Sequence, residues 1–260
     1  MKLSRKFLIP FCVMSLVPSL HAELKSKTIE YKEGKTTLEG YLAYDDAIQS
    51  KRPGIVVVHD WMGLSDFTRE RADTLAKMGY VAFAADIYGK GVRPKTANEA
   101  STLAKLYKSD RALLRSRAKA ALDTLLAQPQ TDPSRIAAIG YCFGGTTVLE
   151  LARSGAPLVG VVTFHGGLDT PNPRDATNIK AKILALHGAD DPFVPASQVA
   201  AFEKEMTDAK VDWQLVKYSG AVHAFAVPSA GNDNSKGAAY NEKAARRSWQ
   251  AMKDFFAEIF

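Results

Sequence analysis

Short apolar runs alternate with stretches of helical periodicity along most of the chain. Gly54-Ile55-Val56-Val57-Val58-His59 is β-branched and continuously apolar, as expected of a strand covered on both faces. Val81 to Asp86, Arg135 to Gly140, Val159 to Phe164, Lys182 to His187 and Trp213 to Tyr218 read as further strands. Between them lie helical patterns at Asp66 to Met78, Ala97 to Lys108, Arg111 to Ala127, Phe143 to Arg153, Ser197 to Asp208 and Gly237 to Ile259. The pattern assigns Asp66 as the cap of the first helix and Gly79 as its stop. Near the start, Thr28 to Tyr31 and Thr37 to Tyr44 flank Glu33-Gly34 as a hairpin. Such alternation predicts an α/β fold with a mostly parallel sheet of about seven or eight strands and helices on both faces. The hairpin places an antiparallel strand at one edge. No linker or repeat divides residues 23–260, which read as one domain.

The first 22 residues break this pattern. Met1 to Lys6 is basic, Phe7 to Leu20 is apolar, and Leu20-His21-Ala22 ends on a small residue. That is the plan of a secretory signal peptide cleaved after Ala22, which predicts a periplasmic or secreted protein with no membrane segment once the signal is removed. The charge changes accordingly. Lys and Arg number 34 against 28 Asp and Glu, a net +6; without Lys2, Arg5 and Lys6 it is 31 − 28 = +3. The remaining basic residues are scattered, so nucleic acid is not an expected partner. Apolar residues at 46% and charged residues at 24% exclude a disordered chain. Only Cys12 and Cys142 occur, and cleavage leaves Cys142 alone. A disulfide framework is excluded, and no Cys or His cluster has metal-ligand spacing.

Candidate chemistry gathers at the carboxyl ends of the predicted strands, where open α/β sheets carry their sites. Gly140-Tyr141-Cys142-Phe143-Gly144 has the form of the strand-to-helix nucleophile elbow, with cysteine in the serine position. A helix starting at Phe143 points free N–H groups and its positive end at the sulfur, favouring thiolate over the free-cysteine pKa of about 8.5. A buried structural cysteine is the plainer reading, and the flanking strand and helix favour the elbow. Within Gly188-Ala189-Asp190-Asp191-Pro192-Phe193-Val194, the spacing selects Asp191 over Asp190 as the acid that orients a histidine. His223 alone among the histidines follows Asp191, so nucleophile, acid and histidine come in the chain order of the α/β-hydrolases. His59, His165 and His187, each at a strand end, read as structural or supporting. The backbone N–H groups of Phe143 and Trp61 are the candidate oxyanion hole.

With these motifs in place, the sequence resembles the dienelactone hydrolase family, the cysteine branch of the α/β-hydrolase fold. The resemblance spans about residues 28–257 and rests on Val57-Val58-His59-Asp60-Trp61-Met62-Gly63-Leu64, Ala85-Asp86-Ile87-Tyr88-Gly89, Gly140 to Gly145, Gly188 to Pro195, His223-Ala224-Phe225 and Ala239 to Trp249. It implies hydrolysis of a small-molecule lactone or ester by a Cys142–His223–Asp191 triad, through a thioester, with no metal or organic cofactor. Asp60 stands where family members often carry glutamate. The two arginines that hold a dienelactone carboxylate have no counterpart here: Val227 occupies one position, and the helix from Ala97 offers only Lys105 and Lys108. Tyr88 and Trp61 are candidates to line the acyl pocket, with Asp60 and Tyr88 as substrate-contacting or supporting residues. Two rival readings remain at this level. One is a thiol acyltransferase or peptidase on the same triad. The other is a non-catalytic exported binding protein, which would show a misaligned triad or a blocked pocket. The oligomeric state is not legible in the sequence.

Overall fold

The computed structural model describes residues 23–260, so the expected signal peptide and Cys12 lie outside the described residues. The elements are β1 (Leu24–Glu33), β2 (Thr36–Asp45), β3 (Arg52–Val58), α1 (Asp66–Lys77), β4 (Val81–Ala85), α2 (Ala97–Ser109) and α3 (Arg111–Leu126). After them come β5 (Thr131–Tyr141), α4 (Phe143–Arg153), β6 (Gly160–Phe164), β7 (Lys182–Gly188), α5 (Ala196–Asp208), β8 (Trp213–Tyr218) and α6 (Glu242–Ile259). The strands form one eight-stranded sheet in the order β1-β2-β4-β3-β5-β6-β7-β8. From β4 to β8 all pairings are parallel, and β2 alone runs against its neighbours. This is the mostly parallel α/β architecture that the strand and helix pattern predicts, in the α/β-hydrolase form that the resemblance implies.

The continuous apolar runs are explained by a sheet buried on both sides. Val56 and Val58 of β3 face the core shared with Leu114 and Leu122 of α3 and Val148 of α4. Ile55 and Val57 point the other way, into the core built with Leu75 of α1 and Met252 and Phe256 of α6. The same alternation recurs in β5, where Ile136 and Ala138 join the first core and Ala137 and Ile139 the second. Each fully buried valine or isoleucine contributes about 1.5–3 kcal/mol by leaving water. No helix among the described residues is long and apolar enough to cross a membrane.

Several boundaries differ from expectation, and β1 begins at Leu24 rather than Thr28. Ser65, extended at φ −101°, holds the cap position of α1 without a side-chain hydrogen bond, and Asp66 is the first helical residue, where a carboxylate meets the positive end of the helix. Strand β5 begins at Thr131 rather than Arg135, across an irregularity where β3 shifts register between Pro53 and Gly54. Helix α6 begins at Glu242 rather than Gly237. Gly237 is left-handed at φ 77°, and Asn241 caps the helix through its side chain to Ala244 N. The intervening backbone is spent on another task, described next.

Candidate active site

The elbow is built where β5 meets α4. Cys142 takes φ 53° and ψ −113°, a conformation that a non-glycine residue holds only at a cost of about 1–3 kcal/mol. Its N–H donates to Phe164 O at 3.0 Å, and its carbonyl accepts from Gly145 N at 3.0 Å. The turn also demands bare backbone on both sides. A Cβ at Gly140 would lie 2.0 Å from Gly144 O, and one at Gly144 would lie 2.3 Å from Val58 O. The two glycines let helix, strand and the neighbouring β3 approach closely enough to aim the sulfur out of the sheet.

Asp191 follows β7 and His223 follows β8, and the fold brings both to Cys142. His223 Nε2 is 3.0 Å from Cys142 Sγ, and His223 Nδ1 is 2.8 Å from Asp191 Oδ2. The other Asp191 oxygen accepts from Phe193 N at 2.8 Å. Asp190 instead accepts from Gly220 N at 3.0 Å and braces the loop that carries the histidine. Burial alone would lower the pKa of His223, but the sulfur of Cys142 and the carboxylate of Asp191 outweigh it and lift the value to about 10.

The 237–241 segment straps this loop in place. His223 N donates to Gly237 O at 3.1 Å, and Ala239 N donates back to His223 O at 3.0 Å. Asn241 N donates to Phe225 O at 3.0 Å, and Asn241 Nδ2 to Gly220 O at 3.1 Å. Those amides would otherwise continue the helix, which is why α6 starts five residues later than its periodicity suggests.

Around the sulfur, the loop after β3 is held by an aromatic cluster. Tyr88 is buried and donates from its hydroxyl to Trp61 O at 3.0 Å, fixing the peptide that leads into Met62. Its ring meets His59 at 4.8 Å, Phe143 at 5.2 Å and Tyr107 at 5.3 Å. Neither Trp61 N–H nor Phe143 N–H donates to another group among the described residues. Asp60 is buried and accepts from Met62 N at 2.8 Å; burial raises its carboxyl pKa, while Met62 N–H and the charge of His223 oppose that rise.

The other histidines do different work. His59 Nδ1 donates to Asp60 O at 2.6 Å and its Nε2 accepts from Ile87 N at 3.2 Å, which defines a neutral tautomer. Burial pushes its pKa down to about 4. His165, at φ 41°, is fully buried with both ring nitrogens unpartnered, and its ring lies 5.4 Å from that of His223. Val227 is buried, Lys105 is exposed, and Lys108 faces Asp169 at 3.8 Å.

Two neighbours of the site were not singled out by sequence. Phe193 is 58% exposed and packs edge-on against the His223 ring at 5.5 Å, so an apolar face stands open beside the histidine. Its place two residues after Asp191 was the available signal. Tyr107 carries none, because its helical spacing is that of any core residue. Among the described residues no group of acidic, histidine or cysteine side chains could hold a metal ion.

Comparison with known proteins shows the family and the fold. The model of the dienelactone hydrolase family matches residues 38–260. A crystal structure described as a dienelactone hydrolase-like promiscuous phosphotriesterase from metagenomic libraries superposes with a TM-score of 0.88 at 44% identity, covering 92% of this chain and all (100%) of that one. A Synechocystis protein named "Putative carboxymethylenebutenolidase" is 26% identical over 248 residues, covering 90% of this chain and 97% of its own. A Bradyrhizobium protein named "Probable 2-oxo-3-(5-oxofuran-2-ylidene)propanoate lactonase" is 30% identical over 202 residues, covering 73% of this chain and 81% of its own.

Proposed function

The chain belongs to the dienelactone hydrolase family, and from that premise we propose that it hydrolyses a small carboxylic ester or lactone through a thioester on Cys142. The observation that carries this reading is the alignment of Cys142 Sγ, His223 and Asp191, at 3.0 and 2.8 Å, on a strained strand-to-helix turn.

The sulfur attacks the substrate carbonyl carbon, and the carbonyl oxygen takes up the negative charge. The N–H groups of Phe143 and Trp61 receive it, which supplies the preorganised stabilisation that acyl transfer needs. The C–O bond to the leaving oxygen then breaks, and His223 Nε2 passes a proton to that oxygen. For a lactone the leaving oxygen stays attached to the acyl chain. A water enters, His223 removes its proton, and the thioester carbon–sulfur bond breaks to release the acid and the thiolate. Asp191 stabilises the imidazolium and holds its orientation throughout.

Trp61 and Tyr88 form one wall of the acyl pocket, and Asp60 contacts or supports the substrate from beside them. With Val227 buried and Lys108 set against Asp169, the cleft favours esters or lactones without a carboxylate beside the reacting carbonyl. A non-catalytic scaffold would show a misaligned triad or a blocked pocket, and the two short contacts speak against the first. The reading extends to a signal peptide cleaved after Ala22, a single domain over residues 23–260 and an exported protein.

Turnover of short chromogenic esters tests the proposal. Cys142→Ala is expected to abolish hydrolysis, and Cys142→Ser to lose about 10³-fold or more in kcat/KM, with both variants folded. A wild type that turns over no short ester or lactone, or a Cys142→Ala variant that keeps its rate, sinks it.

A further inference from the structure

A cavity of about 300 Å³ lies between α1, α6 and the segment following Phe225, and Cys142, Asp191 and His223 do not line it. That volume is at the small end of ligand-binding sites. Its floor is aromatic. Tyr141 and Phe164 stack at 4.7 Å and 16°, and Trp249 lies 6.5 Å from Phe164, inclined to it by 30°. A guanidinium stands over this surface: Arg71 is held between the rings of Phe67 at 5.2 Å and Trp249 at 5.3 Å, and Arg246 lines the cavity from α6.

Neither arginine has a carboxylate within 4.0 Å among the described residues. Arg71 Nε is buried without an acceptor, and so is the hydroxyl of Tyr141 in the floor. Buried donors of this kind are costly to leave unpaired, and a guanidinium matches a carboxylate with two parallel hydrogen bonds. The lining by Tyr141, Phe164, Tyr240 and Trp249 suits an apolar aromatic body. Glu242 on the lining adds one negative charge against two positive ones, which suits a monoanion and disfavours a phosphate dianion.

We infer that this cavity binds a small planar aromatic monocarboxylate, at a site separate from the cleft of Cys142. The ring rests against the aromatic lining, and the carboxylate pairs with the guanidinium groups of Arg71 and Arg246.

Calorimetric titration with 2-naphthoate tests this on protein whose Cys142 thiol has been capped with iodoacetamide, so that the sulfur takes no part in binding. The expected result is saturable one-to-one binding, weakened about tenfold or more for neutral 2-naphthamide and for Arg246→Gln, the loss of one charge-assisted contact. Arg246 is exposed, so this variant keeps its fold, and Arg71→Gln provides a second arm. Absence of saturable binding up to about 5 mM overturns the inference. So does equal binding of the amide, or binding that both arginine variants leave unchanged.

Discussion

The imidazole of His223 sits between two groups that favour its charged form, Cys142 Sγ at 3.0 Å and Asp191 Oδ2 at 2.8 Å. Their combined pull overcomes burial and lifts its pKa to about 10. A raised folded pKa means the proton stays on through neutral pH and leaves only well into the alkaline range. In an NMR titration the His223 ring is therefore expected to hold its proton beyond pH 9 in the wild type. In Cys142→Ala the partner sulfur is gone, and the midpoint should fall by more than one unit. An unchanged midpoint would show that the sulfur is not the source of the shift. At this scale the sequence was informative, because the spacing of two motifs and the order of three residues single out Cys142, Asp191 and His223. It said nothing of Phe193, whose exposure beside the histidine depends on how the turn after β7 folds.

At the scale of elements, periodicity located each of the eight strands and six α-helices among the described residues, since burial on two faces imposes continuous apolar runs and burial on one imposes helical spacing. Boundaries were legible only where the local backbone decided them. Helix α4 starts at Phe143 because the strained Cys142 cannot continue β5. Helix α6 was misplaced because residues 237–241 have helical character, but Ala239 N and Asn241 N donate to the His223 loop and Gly237 O accepts from it. Asn241 joins the two tasks, its Oδ1 capping Ala244 N at 3.0 Å and its Nδ2 bonding Gly220 O at 3.1 Å. Asn241→Ala should lose about 1 kcal/mol of stability with the cap, together with activity. Asn241→Asp keeps the cap acceptor but not the amide donor. It should unfold at the wild-type denaturant concentration while kcat falls with KM little changed. If both variants lose stability equally and keep kcat, the strap does not hold the histidine.

Over the whole molecule, the sheet order was the least legible feature. Neither composition nor pattern reveals that β4 inserts between β2 and β3. That order depends on which way the chain crosses over through α1, a matter of chain geometry rather than of residue type. The same packing encloses His59 and His165 completely, and burial lowers the pKa of both, that of His59 to about 4. The unfolded chain takes up their protons near pH 6.5, while the folded protein resists until lower pH. Stability is therefore lost as pH falls from about 6.5 to about 4, on the order of 3 kcal/mol for His59. Asp60, whose folded pKa is raised, acts in the opposite sense over the lower part of that range. Urea unfolding at pH 7 and pH 5 should show the loss, and His165→Leu, which removes one of the buried imidazoles, should make it shallower. An identical slope in that variant would mean that His165 is already protonated when folded.

The covalent step is the centre of the account. Acid-quenching the enzyme during turnover of a short ester, followed by mass spectrometry of the peptides, examines it directly. The prediction is an added acyl mass on the peptide containing Cys142, removed by hydroxylamine, formed and lost fast enough to account for turnover, and absent in Cys142→Ala. Wild-type turnover with no acyl group on Cys142, or with the acyl group on another residue, would contradict it.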